Sequence, residues 1–386
     1  MIYLDNAATS FPKPPAVIEE MSRCMLEYCG NPGRGSHTLA FAAAEKIYDC
    51  RTLLAEFFEA AAPENVVFCR NATEALNIAI LSLAREGAHF ICSDMEHNSV
   101  RRPLEYLVRE HGCSYSLFNS HALDPNRSAA KICRSVSSLI RPETVAVIST
   151  ACPNICSQRM PLDEIGALCT RAGIHFIGDG AQGAGHFGIS MKRSNISALA
   201  LPGHKGLWGP QGSGALIISD DFPARPLTFG GSGSASLDPD MPAELPERLE
   251  AGTLSTPAIV GLEAGIKALG KIGLEKIEKH EALLSSKLVR GLSEIPGVLL
   301  YTSRASGSVI SFNVSGIPSD KVANLLSERD ICVRGGFHCN PLGHNVLGSS
   351  AHGSVRASFS FFNTADDVFA LTDAVRQIAR NRHAGL

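Results

Sequence analysis

Thr144-Val145-Ala146-Val147-Ile148-Ser149 and His175-Phe176-Ile177-Gly178-Asp179-Gly180-Ala181-Gln182, with the amphipathic stretch Leu162–Ala172 between them, decide the fold. Both flanking runs are short and continuously apolar, as strands buried on both faces are. A strand, a helix and a second strand in that order form a parallel crossover unit. The alternation extends outward on both sides. Ala-rich residues 37–60 read as a helix, Glu64–Phe68 as a strand, Ala72–Arg85 as a helix, His89–Cys92 as a strand and Val100–His111 as a helix. Gly214–Ile218 closes the series. The expected class is α/β, with a mainly parallel sheet covered by helices. Ligands of such sheets sit at the carboxyl ends of strands, and Asp179 stands at one.

Beyond this series, residues 219–247 are rich in Pro, Gly, Ser and Asp. A loop of that length inside a compact chain is functional or disordered. The C-terminal remainder of the chain reads as helices near 256–271 and 273–295, strands 297–301 and 308–314, and helix 319–328. A short strand near 332, strand 354–360 and helix 364–381 complete a smaller α+β unit.

The chain has 386 residues, long enough for two or three domains. Its formal charge is −3 and its basic residues are scattered, which points away from nucleic-acid and membrane-surface partners. The N-terminal residues Met1–Ser10 show no basic and apolar leader pattern, and no apolar run reaches 18 residues. A cytoplasmic location is the expectation. Twelve cysteines in a reducing compartment read mostly as small core hydrophobes.

Leu201-Pro202-Gly203-His204-Lys205-Gly206 places a lysine in a Gly- and Pro-bounded turn, 26 positions after Asp179. An amine and a carboxylate at the mouth of one sheet are what an enzyme needs to hold pyridoxal phosphate. The amine forms a Schiff base with the aldehyde, and the carboxylate pairs with the pyridinium nitrogen. Each residue alone also has an ordinary reading, a solvated turn lysine and a helix-capping Asp. Other segments converge on them. In Arg70-Asn71-Ala72-Thr73-Glu74 a strand end becomes a helix start, so Ala72 and Thr73 offer backbone N–H groups suited to a phosphate, or form a plain cap. His97 follows a strand and could stack on a cofactor ring. Asn154, after Cys152-Pro153, could reach a phenolic oxygen or a substrate carboxylate, or be a simple turn residue. Strand ends near 69, 92, 150 and 178 thus bring polar residues to one sheet edge.

Arg334-Gly335-Gly336-Phe337-His338-Cys339-Asn340-Pro341 puts a cysteine on a Gly/Pro-flanked loop, where it should be exposed and mobile. A neighbouring histidine would favour its thiolate. His338, Cys339 and His344 lack a fourth ligand and regular spacing, so no metal site is expected. Arg356, in Gly353-Ser354-Val355-Arg356-Ala357-Ser358, lies in a β-patterned run. Buried, it would need an anion and could clamp a carboxylate; on an edge strand it would face water.

Taken in order, these segments resemble the class V aminotransferase superfamily, and within it the cysteine desulfurase and selenocysteine lyase group. The likeness rests on Tyr3-Leu4-Asp5-Asn6-Ala7-Ala8, Asn71-Ala72-Thr73-Glu74-Ala75, Glu96-His97-Asn98, Asp179-Gly180-Ala181-Gln182, Gly203-His204-Lys205, Glu250-Ala251-Gly252-Thr253, His338-Cys339 and Arg356 through Asn363-Thr364. The resemblance implies a fold type I transferase with a seven-stranded sheet in a large domain, residues 14–257. A small domain would comprise residues 1–13 and 258–386. It implies that Lys205 binds the cofactor and moves protons, that Asp179 pairs with the ring nitrogen, and that Gln182 and Asn154 lie near the ring hydroxyl. His97 would stack on the ring, and Ala72, Thr73 and His204 would hold the phosphate. Arg356 would bind the substrate carboxylate, and Cys339 would accept sulfur. It further implies a homodimer in which Gly231 and Thr253 or Thr256 complete the partner's phosphate site. Pro202 stands where relatives carry a hydroxyl residue, Ala151 and Pro153 where many carry His and Ser, and Asn340–His344 differs from the best-known members.

The implied reaction takes L-cysteine to L-alanine with sulfur left on Cys339 as a persulfide, for delivery to an acceptor protein. Alternatives that keep the cofactor are selenocysteine lyase (with L-selenocysteine as substrate), another C–S lyase, and an aminotransferase-like or epimerase activity. A non-catalytic dimer that binds a sulfur-transfer partner is the reading from another class.

Overall fold

A computed structural model describes residues 1–33, 35–301 and 307–381. In chain order its elements begin with β1 (Ile2–Tyr3), α1 (Pro15–Glu27), α2 (Thr38–Phe58), β2 (Val66–Cys69), α3 (Ala72–Ser82), β3 (His89–Ser93), α4 (Asn98–His111) and β4 (Ser114–Phe118). They continue with α5 (Ala129–Ser137), β5 (Thr144–Thr150), α6 (Leu162–Ala172), β6 (His175–Asp179), β7 (Ala198–Pro202), β8 (Gly214–Ile218) and α7 (Thr256–Ile272). The last are α8 (Leu274–Ser293), β9 (Val298–Leu300), β10 (Val309–Val314), α9 (Ser319–Ser327), β11 (Ile331–Cys332), α10 (Pro341–Leu347), β12 (Val355–Ser358) and α11 (Ala365–Asn381).

The main sheet has seven strands in the order β2-β8-β7-β6-β5-β3-β4. Only β8 runs against the others. The period-two alternation of a strand explains how it is covered. Val66, Phe68, Ile91, Val147, Phe176, Leu199 and Ile217 point into one apolar core. Their neighbours Val67, Phe90, Ala146, Ile148, Ile177, Ala200 and Leu216 point into the other. Each such fully buried large apolar side chain contributes about 1.5–3 kcal/mol relative to exposure.

The chain beyond α7 builds a third core around the antiparallel sheet β12-β10-β9, with α8, α9 and α11 packed on it. Leu4 joins that core, and β1 pairs with β11, so the N-terminus is stitched to the C-terminal region. Residues 258–272 of α7, which the resemblance places in the small domain, pack into the first core through Ile259, Leu262, Ile266 and Leu269. Residues 382–386 of that unit lie outside the described residues. Among the described residues no helix is long and apolar enough to cross a membrane.

Three strands have no counterpart in the sequence pattern, the first being the two-residue β1. β4 is an edge strand of mixed polarity, half exposed along its length. β7 reads Ala-Leu-Ala-Leu-Pro, without the β-branched residues that mark strands. Pro202 is tolerated because it is the last residue of the strand.

Candidate active site

Because β2, β3, β5, β6 and β7 are parallel, all five end at one edge. One cavity there is lined by Ala72 and Thr73 after β2, His97 and Ser99 after β3, and Asn154 after β5. Asp179 and Gln182 come from β6, and His204 and Lys205 from the turn after β7. The sequence pattern marks four of these strand ends; β7 supplies the fifth.

At the β2 end, Asn71 caps α3, its Oδ1 accepting from Glu74 N at 3.0 Å. Ala72 and Thr73 therefore open a helix whose first N–H groups face an anion site. Thr73 Oγ1 lies 2.9 Å from Ser99 Oγ, and that hydroxyl lies 2.7 Å from His97 Nδ1. His97 Nδ1 also accepts from Ser99 N at 3.1 Å, which leaves Nε2 as its protonated nitrogen. Burial, then the charges of Lys205 and Arg356, depress the imidazole to about 4, so it is neutral at pH 7.

Asp179 is buried, and its Oδ1 accepts from Ala181 N at 2.8 Å. Burial raises its pKa against the opposing effects of that hydrogen bond and Lys205. Lys205 reaches the cavity, and part of its surface is accessible. The atoms packed round it still desolvate the ammonium enough to bring its pKa down to about 8, with Asp179 pulling the other way. The lysine turn depends on close backbone approach: a Cβ on Gly203 would collide with Ser213 Oγ. The N-terminal segment buttresses the same turn. Ser10 N and Lys13 Nζ donate to His204 O at 3.0 and 2.8 Å, and Ser10 Oγ donates to Lys205 O at 2.9 Å. Gln182 Nε2 donates to Ala7 O at 2.8 Å, tying that segment to β6.

Arg356 is 2% exposed although β12 is an edge strand, so the water-facing reading is excluded. Its anion within the chain is Asp5, whose Oδ1 accepts from Nη2 at 2.8 Å, and its Nη1 donates to Asn154 O at 3.2 Å. Arg356 Nε and His204 Nδ1 are buried without a partner. Unsatisfied buried donors and acceptors of this kind are costly, which fits a site built to receive an acidic ligand. Together with the helix N-terminus at Ala72 and Thr73, and with Lys205 beside Asp179, the residues present fit pyridoxal phosphate and an amino-acid carboxylate.

Three expectations change here. Asn154 lines the cavity, but its amide is occupied: Nδ2 donates to His338 O at 2.7 Å, and Oδ1 accepts from Asn340 Nδ2 at 2.9 Å. Cys339 is exposed, but its loop is a short tied turn between β11 and α10, not a free one; its own carbonyl accepts from Asn98 N at 2.8 Å. His338 supplies no positive charge to the thiol. Burial, then Arg356, lower its pKa to about 3, and its Nε2 donates to Ser354 O at 2.9 Å.

Gly231 and Thr253 come together, with Gly252 N donating to Gly231 O at 2.8 Å, but they line a cleft separate from the Lys205 cavity. Glu250 anchors that segment through a two-pronged ion pair with buried Arg51 at 2.9 Å. Thr256 is buried at the start of α7 and lines neither space. Ser99 lines the cavity, and Asp5, Ser10, Lys13 and Glu96 hold Arg356, His204, Lys205 and Thr150 by hydrogen bonds; the sequence pattern marks none of the five. Asp5 and Glu96 lie in segments that carry the resemblance, but a sequence alone gives them no partner. Glu96 is fully buried, its Oε1 accepting from Ser93 Oγ at 2.5 Å and Thr150 N at 2.8 Å. Burial raises it to about 8.

The chain belongs to the Aminotransferase class-V family, whose match spans residues 2–371. Its relatives include a probable cysteine desulfurase of Methanothermobacter thermautotrophicus, 32% identical over 98% of this chain and 94% of that one. Another, of Pyrococcus abyssi, is 33% identical over 99% and 95%. Among solved structures, the apo cysteine desulfurase of Thermococcus onnurineus NA1 superposes with a TM-score of 0.88 at 30% identity, over 98% of this chain and 95% of that one. The Escherichia coli cysteine desulfurase CsdA gives 0.87 at 26% identity, over 98% and 94%.

Proposed function

We propose that this protein is a pyridoxal-phosphate-dependent cysteine desulfurase, converting L-cysteine to L-alanine and passing the sulfur through Cys339 to an acceptor. The observation that carries the reading is the joining of two sites by Asn154. That residue lines the cavity of Lys205 and Asp179 and also holds the turn of the exposed Cys339.

When bound, pyridoxal phosphate supplies an electron sink that acidifies the substrate Cα–H and weakens the Cβ–S bond. Ala72, Thr73 and His204 would hold its phosphate, His97 would pack against its ring, and Asp179 would keep its ring nitrogen protonated. Arg356 takes the substrate carboxylate with the Nε that the chain leaves unpartnered. Lys205, whose pKa burial brings down to about 8, reaches its neutral form near neutral pH more readily than an ordinary lysine and takes the Cα proton. The Cys339 thiolate attacks the substrate sulfur. An S–S bond forms, the Cβ–S bond breaks, and its electron pair stays on carbon, which takes up a proton to give the methyl of alanine. An acceptor thiol then removes the outer sulfur from Cys339.

The protein acts as a homodimer. Exposed Leu39, Phe41 and Tyr48 on α2 and Phe229 and Leu237 in the long loop form apolar surface of the kind subunits cover. Gly231 and Thr253, apart from their own chain's cavity, are then available to the partner's. The test is incubation of the cofactor-loaded protein with L-cysteine. Alanine formed in step with sulfur bound to protein or released as sulfide supports the reading; pyruvate and ammonia in place of alanine contradict it.

A further inference from the structure

Asn340 comes directly after Cys339 and is fully buried. Its Oδ1 accepts from Gly343 N at 2.9 Å and caps α10. Its Nδ2 donates twice, to Asn154 Oδ1 and to Met95 O, each at 2.9 Å. Capping needs only the oxygen, and Ser, Thr or Asp would serve it as well. The amide nitrogen is what asparagine adds, and both of its hydrogens go to segments that line the Lys205 cavity.

The other foot of the Cys339 turn is held by the same residue, since Asn154 Nδ2 donates to His338 O at 2.7 Å. Between the two feet, His338 and Cys339 have φ of +50° and +54°. Consecutive left-handed residues other than glycine are disfavoured and persist only where the surroundings impose them. Asn154 also offers its main-chain oxygen to Arg356 Nη1 at 3.2 Å. One amide-to-amide contact thus joins the turn of the nucleophile to the floor of the cavity and to the buried arginine.

We propose that Asn340 is a positioning residue: through the side chain of Asn154 it fixes where the Cys339 thiol stands relative to the Lys205 cavity. The proposal rests on the desulfurase reading for its catalytic consequence, but not for its structural one. Misplacing a reacting group by about 1 Å can cost a rate on the order of a hundredfold without touching substrate binding.

The test compares Asn340→Ser, which keeps a capping oxygen, with Asn340→Ala, which does not. Two readouts are taken: steady-state alanine formation by the loaded enzyme, and the rate at which iodoacetamide alkylates Cys339 in the cofactor-free protein. Both variants should bind cofactor with the wild-type visible spectrum. They should keep KM for L-cysteine within about twofold and lose about tenfold or more in kcat. Cys339 should be alkylated severalfold faster in both. Wild-type kcat in either folded variant, recovery of kcat by the serine cap alone, or unchanged alkylation would overturn the proposal. A kcat loss that merely tracks lost cofactor would do so as well. If wild-type protein makes no alanine, the desulfurase reading fails separately, and the alkylation rates still decide whether Asn340 holds the thiol.

Discussion

Asp179 and Lys205 stand one strand apart at the same sheet edge: β6 ends on Asp179, and its parallel neighbour β7 ends at Pro202, just before the lysine turn. The carboxylate raises the lysine pKa while burial lowers it, and burial wins. Replacing Asp179 with Asn removes the only one of the two that favours the ammonium. The Lys205 pKa should then fall further below about 8. In the cofactor-free protein, the pH profile of Lys205 modification by an amine-selective reagent should shift to lower pH. An unchanged or upward-shifted profile would show that the two groups do not interact.

Ser99 bridges Thr73 and His97 with one hydroxyl. Ser99→Ala should leave His97 in place through the remaining Ser99 N–H bond, but free the Thr73 hydroxyl. A neutral hydrogen bond contributes about 0.5–1.5 kcal/mol, so cofactor affinity should weaken by about two- to tenfold. Equilibrium titration of the apoprotein with pyridoxal phosphate measures it.

Much of this site was legible because its residues sit at strand ends. Asp179 closes an apolar run, Thr73 opens an Ala/Leu-rich helix, and Lys205 is fenced by Gly and Pro. The illegible part depends on contacts that no local pattern encodes. Asp5 meets Arg356 across 351 positions and Asn340 meets Asn154 across 186. Ser99 is an ordinary first-turn serine until Thr73 arrives from another strand end. The fold was legible where buried strands carry β-branched or aromatic residues. It was not at β4, half exposed on the edge, nor at β7, where alternating Ala and Leu suit a helix as well as a strand. The Cys339 turn was misjudged because Gly and Pro mark a bend but do not reveal the hydrogen bonds that hold it.

Glu96 makes a pH prediction with a definite sign. Its folded-state pKa is raised from 4.5 to about 8. Between those values the folded protein keeps a proton that the unfolded chain has released, so stability falls as pH rises through that window. Glu96→Gln lacks the effect. The Tm of wild type minus that of the variant should therefore decline from pH 5 to pH 8 and level off above it. A difference that stays flat or climbs with pH would contradict the assignment.

The Arg51–Glu250 pair is buried, and Glu250 Oε1 also accepts from Phe68 N at 2.6 Å. Arg51→Ala leaves that carboxylate uncompensated and should cost about 3–5 kcal/mol, as breaking one side of a buried pair does. Urea unfolding measures the loss. Arg51→Ala with Glu250→Gln should recover part of it, because no buried charge then remains unpaired.

The most direct test of the account is the mass of the peptide that contains Cys339 after the loaded enzyme has met L-cysteine, with no reductant present. The account predicts a gain of one sulfur atom on Cys339, reversed by a thiol, and loss of alanine formation from L-cysteine in Cys339→Ala. An unmodified Cys339 peptide, together with full-rate alanine formation by Cys339→Ala, would contradict it.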